Sequence, residues 1–211
     1  MRNIEILMVL YKQHKLNIEE RVKQFEATKF ADEKTILKEF LFCLLTPQSK
    51  AKVCWNSVEK AFEYGLLEDN DLSKWRVVLS GVRFPESKLK YIMYNLNKIE
   101  TESIDLVDLV RNNDDSKSKR EFLIKTFKGM GMKEASHFLR NTGHLDLAIL
   151  DRHILRNMLE FNVVDKLPKS LTKQKYLELE QKLKEFSKKI DIPFAHLDML
   201  LWAKETREVF K

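Results

Sequence analysis

The groups best suited to chemistry lie in one stretch of the sequence: Gly129-Met130-Gly131-Met132-Lys133 and, further on, Asp151. A Gly-x-Gly turn between two short amphipathic runs presents backbone N–H groups at the start of a helix, a natural seat for a phosphate. Lys133 falls in the first turn of that helix, where it can contact a phosphate or act as an amine nucleophile beside a sugar. At the reference pKa roughly one lysine in two thousand is neutral at pH 7, so an exposed one is a poor nucleophile. Burial beside Met130, Met132 and Ala135, with the positive end of the helix, would favour the neutral amine. Asp151 supplies a carboxylate where the apolar Leu147-Ala148-Ile149-Leu150 delivers the chain to a new helix, for which it is a good N-cap. A carboxylate there could stabilise positive charge on a sugar and orient or deprotonate Lys133. In isolation, Gly-x-Gly-x-Lys reads as a turn with a solvated lysine; the downstream aspartate is what weakens that reading.

The elements that must position these groups read as helices. Five glycines and four prolines in 211 residues favour long helices over a turn-rich β fold. Nearly every segment has 3.6-residue periodicity and none shows sustained strand alternation. Ile18, Val22 and Phe25 mark one helix, and residues 33 to 45 form a second, apolar on two sides and hence central. A third spans 49 to 63, and Pro85 opens a fourth running to about Lys98. The polar stretch 111 to 119 reads as a loop between subdomains, and Lys117, Lys119 and Arg120 as a solvated basic run. Phe122, Leu123 and Phe127 mark the first hairpin helix; Ala135, Phe138 and Leu139 mark the second, with Asn141-Thr142-Gly143 as its C-cap. Residues 172 to 189 form another helix, and Pro193 opens the last.

Composition bounds the rest. With 44% hydrophobic residues the chain can bury a sizeable core, and no apolar run approaches the ~20 residues of a membrane span. The N-terminus does not read as a secretory signal. A net charge of +6 and a pI of about 9.1 suggest an anionic partner. Cys43 and Cys54 both fall on apolar helix faces and read as buried reduced thiols. Two cysteines cannot ligate a cubane iron–sulfur cluster, which takes four. His137 and His153 lie on different elements with no third ligand, so no metal site is expected.

The run from Lys128 through Gly143, followed by Asp146-Leu147-Ala148-Ile149-Leu150-Asp151-Arg152-His153-Ile154, resembles the archaeal-type 8-oxoguanine DNA glycosylase/AP lyases, a compact branch of the helix-hairpin-helix glycosylase superfamily. Weaker likeness covers Phe42 to Thr46, Arg83-Phe84, Lys90-Tyr91-Ile92, Asp198 with Leu201-Trp202, and Lys211. The resemblance implies an all-α protein of two helical subdomains with an active-site cleft between them. Subdomain A would span about 30–120; subdomain B would join about 1–29 to 121–211, with the hairpin at 121–141. It implies a bifunctional enzyme on double-stranded DNA that needs no cofactor: Lys133 attacks the anomeric carbon, a Schiff base forms, and the strand is cut by β-elimination. Asp151 would be its acidic partner, with Gly129 and Gly131 holding a phosphate. A monomer acting in a prokaryotic cytoplasm at the nucleoid, with no membrane partner, is expected.

Lesion recognition follows the same resemblance. The oxidised base carries a hydrogen on N7, where guanine has only an acceptor. The terminal carboxylate of Lys211 would accept it, Trp202 would offer an aromatic face, and Asp198 could accept from N1 and N2. Relatives in this branch commonly carry Ala-Asn where this chain has Pro47-Gln48. Gln48 could enter the gap left by the extruded base, or cap the helix beginning near Ser49. Phe84 could wedge between bases, with Arg83 on the orphaned base, or Phe84 could be a core staple. Two rivals stay open: a glycosylase/lyase for another damaged base, and a non-catalytic helix-hairpin-helix module that only holds phosphates.

Overall fold

Aspartate and threonine side chains write the helix starts of this chain. Asp32, Asp71, Asp105, Asp115, Asp151 and Thr172 each accept from backbone N–H groups two or three residues ahead, satisfying amides that a helix leaves unpaired at its first turn. The structure, a computed structural model, describes residues 2–69, 71–206 and 209. Among these residues there are eleven helices and no strand: α1 (Arg2–Thr28), α2 (Glu33–Leu45), α3 (Ala51–Glu63), α4 (Leu72–Val78), α5 (Pro85–Thr101), α6 (Leu106–Arg111), α7 (Ser116–Thr126), α8 (Met132–Asn141), α9 (Arg152–Glu160), α10 (Lys173–Lys189) and α11 (Phe194–Thr206). The fold is all-α, as the periodicity predicts. No helix among the described residues is long and apolar enough to cross a membrane.

The chain forms two compact units, Thr28–Phe138 and Met1–Ala27 with Leu139–Lys211. In this division α7 and most of α8 go with the 28–138 unit, whereas the sequence reading puts residues 121–138 in the other. In the 28–138 unit α2 is the central helix, buried at Ile36 and throughout residues 39–45, and it packs against α3, α5 and α6. The Phe40 ring sits edge-on to Phe127 and Phe138, at 4.8 and 5.8 Å between centroids. Full burial of a side chain of this size contributes roughly 1.5–3 kcal/mol. Cys43 and Cys54 are buried free thiols.

The polar stretch before the hairpin differs from its sequence reading. Asp115 caps α7 at Ser116, so only residues 112–115 separate it from α6. Lys119 and Arg120 are buried, not solvated. Lys119 Nζ donates to the carbonyls of Val110 and Asn112, both at 2.9 Å, closing the end of α6. Arg120 donates to Ser136 Oγ, which donates to the Met132 carbonyl. Two charges that looked like part of a solvated run are internal ties.

In the other unit α1 buries Leu7, Tyr11, Ile18, Val22 and Phe25 along one face, and α11 packs on α9 and α10. The stretch Leu147 to Leu150 is buried, and α10 supplies its partners. Glu180 accepts from Ala148 N (2.8 Å), while Tyr176 Oη accepts from Leu150 N and donates to the Ala148 carbonyl. That harness sets where Asp151 emerges.

Candidate active site

The hairpin is built around two glycines that differ. Gly129 has φ +83°, and a Cβ there would come within 2.8 Å of the Tyr91 ring, so a side chain is excluded by both backbone and space. The Gly131 carbonyl accepts from Ala135 N at 3.0 Å, making it the residue from which α8 starts. Both glycines are exposed, so the first amides of α8 open to solvent. Buried Asn95 of α5 braces the turn from behind: its Oδ1 accepts from Lys128 N and its Nδ2 donates to the Lys128 carbonyl.

Lys133 follows on the first turn of α8 with a quarter of its side chain exposed. Apolar burial is not its whole environment, because its Nζ lies 3.1 Å from Glu134 Oε1. Sequence reading missed this neighbour; it is adjacent in the chain, but adjacency on a helix does not by itself predict contact. A partly exposed amine with one carboxylate partner and a phosphate-ready turn beside it can exchange that partner for a substrate.

Asp151 belongs to the other unit. Its Oδ1 accepts from His153 N (2.8 Å) and Ile154 N (2.9 Å), confirming the N-cap and leaving Oδ2 outside it. Asp198 and Trp202 lie on α11 at i and i+4, hence on one face. Asp198 is buried, with Oδ2 3.4 Å from Arg140 Nη1. Burial pushes its carboxyl up to about 6, opposed by the Arg140 charge and the Ile149 amide and reinforced by Asp151. Its Oδ1 is buried with no hydrogen-bond partner among the described residues, an acceptor left open. Trp202 is half-buried; Lys211 lies outside the described residues.

Gln48 and the Arg83-Phe84 pair lie in the 28–138 unit on two segments that Ser49, next to Gln48, joins. Gln48 is exposed with φ +57°, and α3 starts from Lys50 with no side-chain cap, so Gln48 does not cap it. Phe84 also has φ +57° and is 52% exposed, which removes the core-staple reading. The Arg83 guanidinium lies 5.0 Å from the Phe84 ring centroid. Ser49 Oγ accepts from Arg83 N and from Lys88 Nζ, both at 2.9 Å, joining the two segments. Sequence reading missed Lys88 and Asn95. The signal was two polar residues on the stripe of α5 that also holds Leu89 and Ile92.

No group of three or more His, Cys, Asp or Glu side chains among the described residues is arranged to hold a metal ion. His137 is buried edge-on to Phe42, 5.4 Å between centroids, and His153 Nδ1 lies 3.6 Å from Glu205 Oε2.

Comparison with known proteins agrees across the chain. A family model described as 8-oxoguanine DNA glycosylase matches residues 18–192. An 8-oxoguanine DNA glycosylase/AP lyase of Fusobacterium nucleatum is 38% identical over 205 residues, covering 96% of this chain and 94% of that protein. The crystal structure of the 8-oxoguanine DNA glycosylase of Thermotoga maritima superposes with a TM-score of 0.88 at 30% identity, covering 100% of this chain and 99% of its own. The Methanocaldococcus jannaschii 8-oxoguanine glycosylase/lyase, in complex with a 15mer DNA containing 8-oxoguanine, gives 0.85 at 32% identity and covers 100% of each chain.

Proposed function

The chain belongs to the 8-oxoguanine DNA glycosylase family, and we propose from this premise that it excises 8-oxoguanine from duplex DNA and cleaves the abasic strand, with Lys133 as nucleophile and Asp151 as its acidic partner. The observation that carries the assignment of roles is the accessible Lys133 amine on the first turn of α8, beside an exposed glycine turn. Lys133 Nζ, once deprotonated, attacks C1′ of the extruded nucleotide; the C1′–N9 bond breaks and its electron pair leaves with the base, which takes up a proton. Ring opening gives the Schiff base, which makes the 2′ proton acidic, and loss of that proton expels the 3′ phosphate. Asp151, with Oδ2 outside its cap, stabilises positive charge on the sugar.

The remaining roles are proposed on the same footing. Amides at Gly129 and Gly131 hold a backbone phosphate. Phe84 enters the stack, while Gln48 and Arg83 meet the base left behind. Trp202 offers a face to the lesion, and the open Oδ1 of Asp198 accepts from its Watson–Crick edge. Such work would be done where chromosomal DNA lies, at the nucleoid. Incubation with an 8-oxoguanine duplex and borohydride tests the reading: a covalent protein–DNA adduct is expected, and none overturns it. Affinity for any duplex should also fall steeply with salt as phosphate contacts are lost.

A further inference from the structure

Lys88 is 4% exposed, and its ammonium meets only neutral oxygens. Nζ donates to the carbonyl of Leu45, where α2 ends, to the carbonyl of Pro47 at 2.8 Å, and to Ser49 Oγ at 2.9 Å. Three N–H donors are matched by three acceptors, on both sides of Gln48. Ser49 Oγ accepts in turn from Arg83 N, so the same ammonium reaches the junction that carries Phe84. Both Gln48 and Phe84 hold a left-handed backbone that L residues seldom adopt, and both are exposed. Strain of this kind persists only where neighbours enforce it. The Lys88 ammonium holds both flanks of Gln48, its own amide donates to the Phe84 carbonyl at 3.2 Å, and Ser49 Oγ carries the tie on to Arg83 N.

We propose that Lys88 is a positioning residue for base extrusion: it locks the Gln48 turn and the Arg83–Phe84 junction into one rigid wedge. The proposal rests on the reading of Gln48, Arg83 and Phe84 as the wedge. An inserted side chain works only if its mount does not yield when the bases restack, and a lysine with three oxygen partners supplies a stiff mount between segments far apart in sequence. Burial draws the Lys88 titration down to about 8; Cys54, Lys133 and Glu134 are the charged or titratable groups around it. Protonation therefore still dominates at neutral pH, where all three bonds can form.

The test compares single-turnover excision from an 8-oxoguanine duplex with strand cleavage of a single-stranded abasic oligonucleotide, which requires no extrusion. Both reactions use Lys133, so their ratio cancels effects on the nucleophile. Lys88→Met should lower the duplex-to-single-strand ratio by about 10- to 100-fold, the scale of a misplaced positioning group. It should also weaken the fluorescence rise of a 2-aminopurine placed beside the lesion, which reports extrusion. Lys88→Arg, which keeps charge and donors, should recover most of both signals. Ser49→Ala removes the link to Arg83 and one of the three Lys88 acceptors, leaves the Leu45 and Pro47 carbonyls in place, and should lower the ratio by less; if Lys88→Met does not fold, this variant decides. A wild-type ratio in Lys88→Met or, failing that, in Ser49→Ala, alongside a lowered ratio in Phe84→Ala, would overturn the role of Lys88 and leave the wedge standing. A wild-type ratio in both Phe84→Ala and Gln48→Ala would overturn the wedge reading itself.

Discussion

The starts of α5 and α8 each carry a lysine, in one unit and near enough for the Lys133 charge to act on Lys88, yet the two have opposite surroundings. Lys88 is buried and saturated by three neutral oxygens, and burial draws its titration down to about 8. Lys133 is a quarter exposed and has a carboxylate beside it. A depressed pKa is often read as the mark of a nucleophile, but Lys88, whose titration burial draws down, has no room to react. On the roles proposed above, accessibility and a partner that can be given up mark the reactive amine.

The sharpest way to break this comparison is to exchange the roles. Lys133→Gln should eliminate the borohydride adduct, while Lys88→Met should still form it; an adduct that survives in the Gln variant would move the nucleophile elsewhere. Next in size is Asp151→Asn. Asparagine keeps the N-cap, so melting temperature should hardly move, while turnover falls on the order of 100- to 1,000-fold with the lost charge. A large drop in melting temperature with little loss of turnover would make Asp151 structural.

The two hairpin glycines extend the contrast to the turn itself. Gly129→Ala meets both a positive φ and the Tyr91 ring and should cost about 1–3 kcal/mol in denaturant melts. Gly131→Ala meets only the Glu134 carboxylate at 3.1 Å, which can swing aside, so stability should change less. Its effect should appear as weaker binding to any duplex, damaged or not, by titration of a fluorescent oligonucleotide. Equal melting curves for the two variants would mean that the turn does not depend on the Gly129 backbone.

The smallest effect is a pH slope. Lys88 titrates at about 8 when folded, against 10.5 for a free lysine. Between these values the unfolded chain binds more protons, so raising the pH through the window stabilises the wild type relative to Lys88→Met, by roughly 1.4 kcal/mol per pH unit at most. Parallel stability curves for the two proteins from pH 8 to 10.5 would show that Lys88 is not desolvated in solution.

Much of the fold was legible because its signals are local. The stripe of α2, the Asp151 cap, the Thr172 start and the opening prolines all act within a few residues of themselves. Short helices such as α4 and α6 escaped because six or seven residues give too little periodicity, although Asp71 and Asp105 marked their starts. At the candidate site, the glycine turn and Lys133 stand out by type and spacing. Lys119 and Arg120 looked like solvent-facing charge, since nothing nearby in sequence announces the carbonyls and hydroxyl that receive them.

Sequence alone determined the helical class, the bounds of α2, α3, α5 and α10 to within a few residues, and the family, because helix periodicity, capping and a contiguous motif are properties of neighbouring residues. Tertiary structure alone decided which charges are buried, that Phe84 faces solvent, and that Lys88 ties the turn after α2 to the start of α5. Those outcomes depend on where carbonyls and hydroxyls some forty residues away come to rest. A hydrogen bond is set by distance and direction in space, and no pattern of residue types along the chain specifies either.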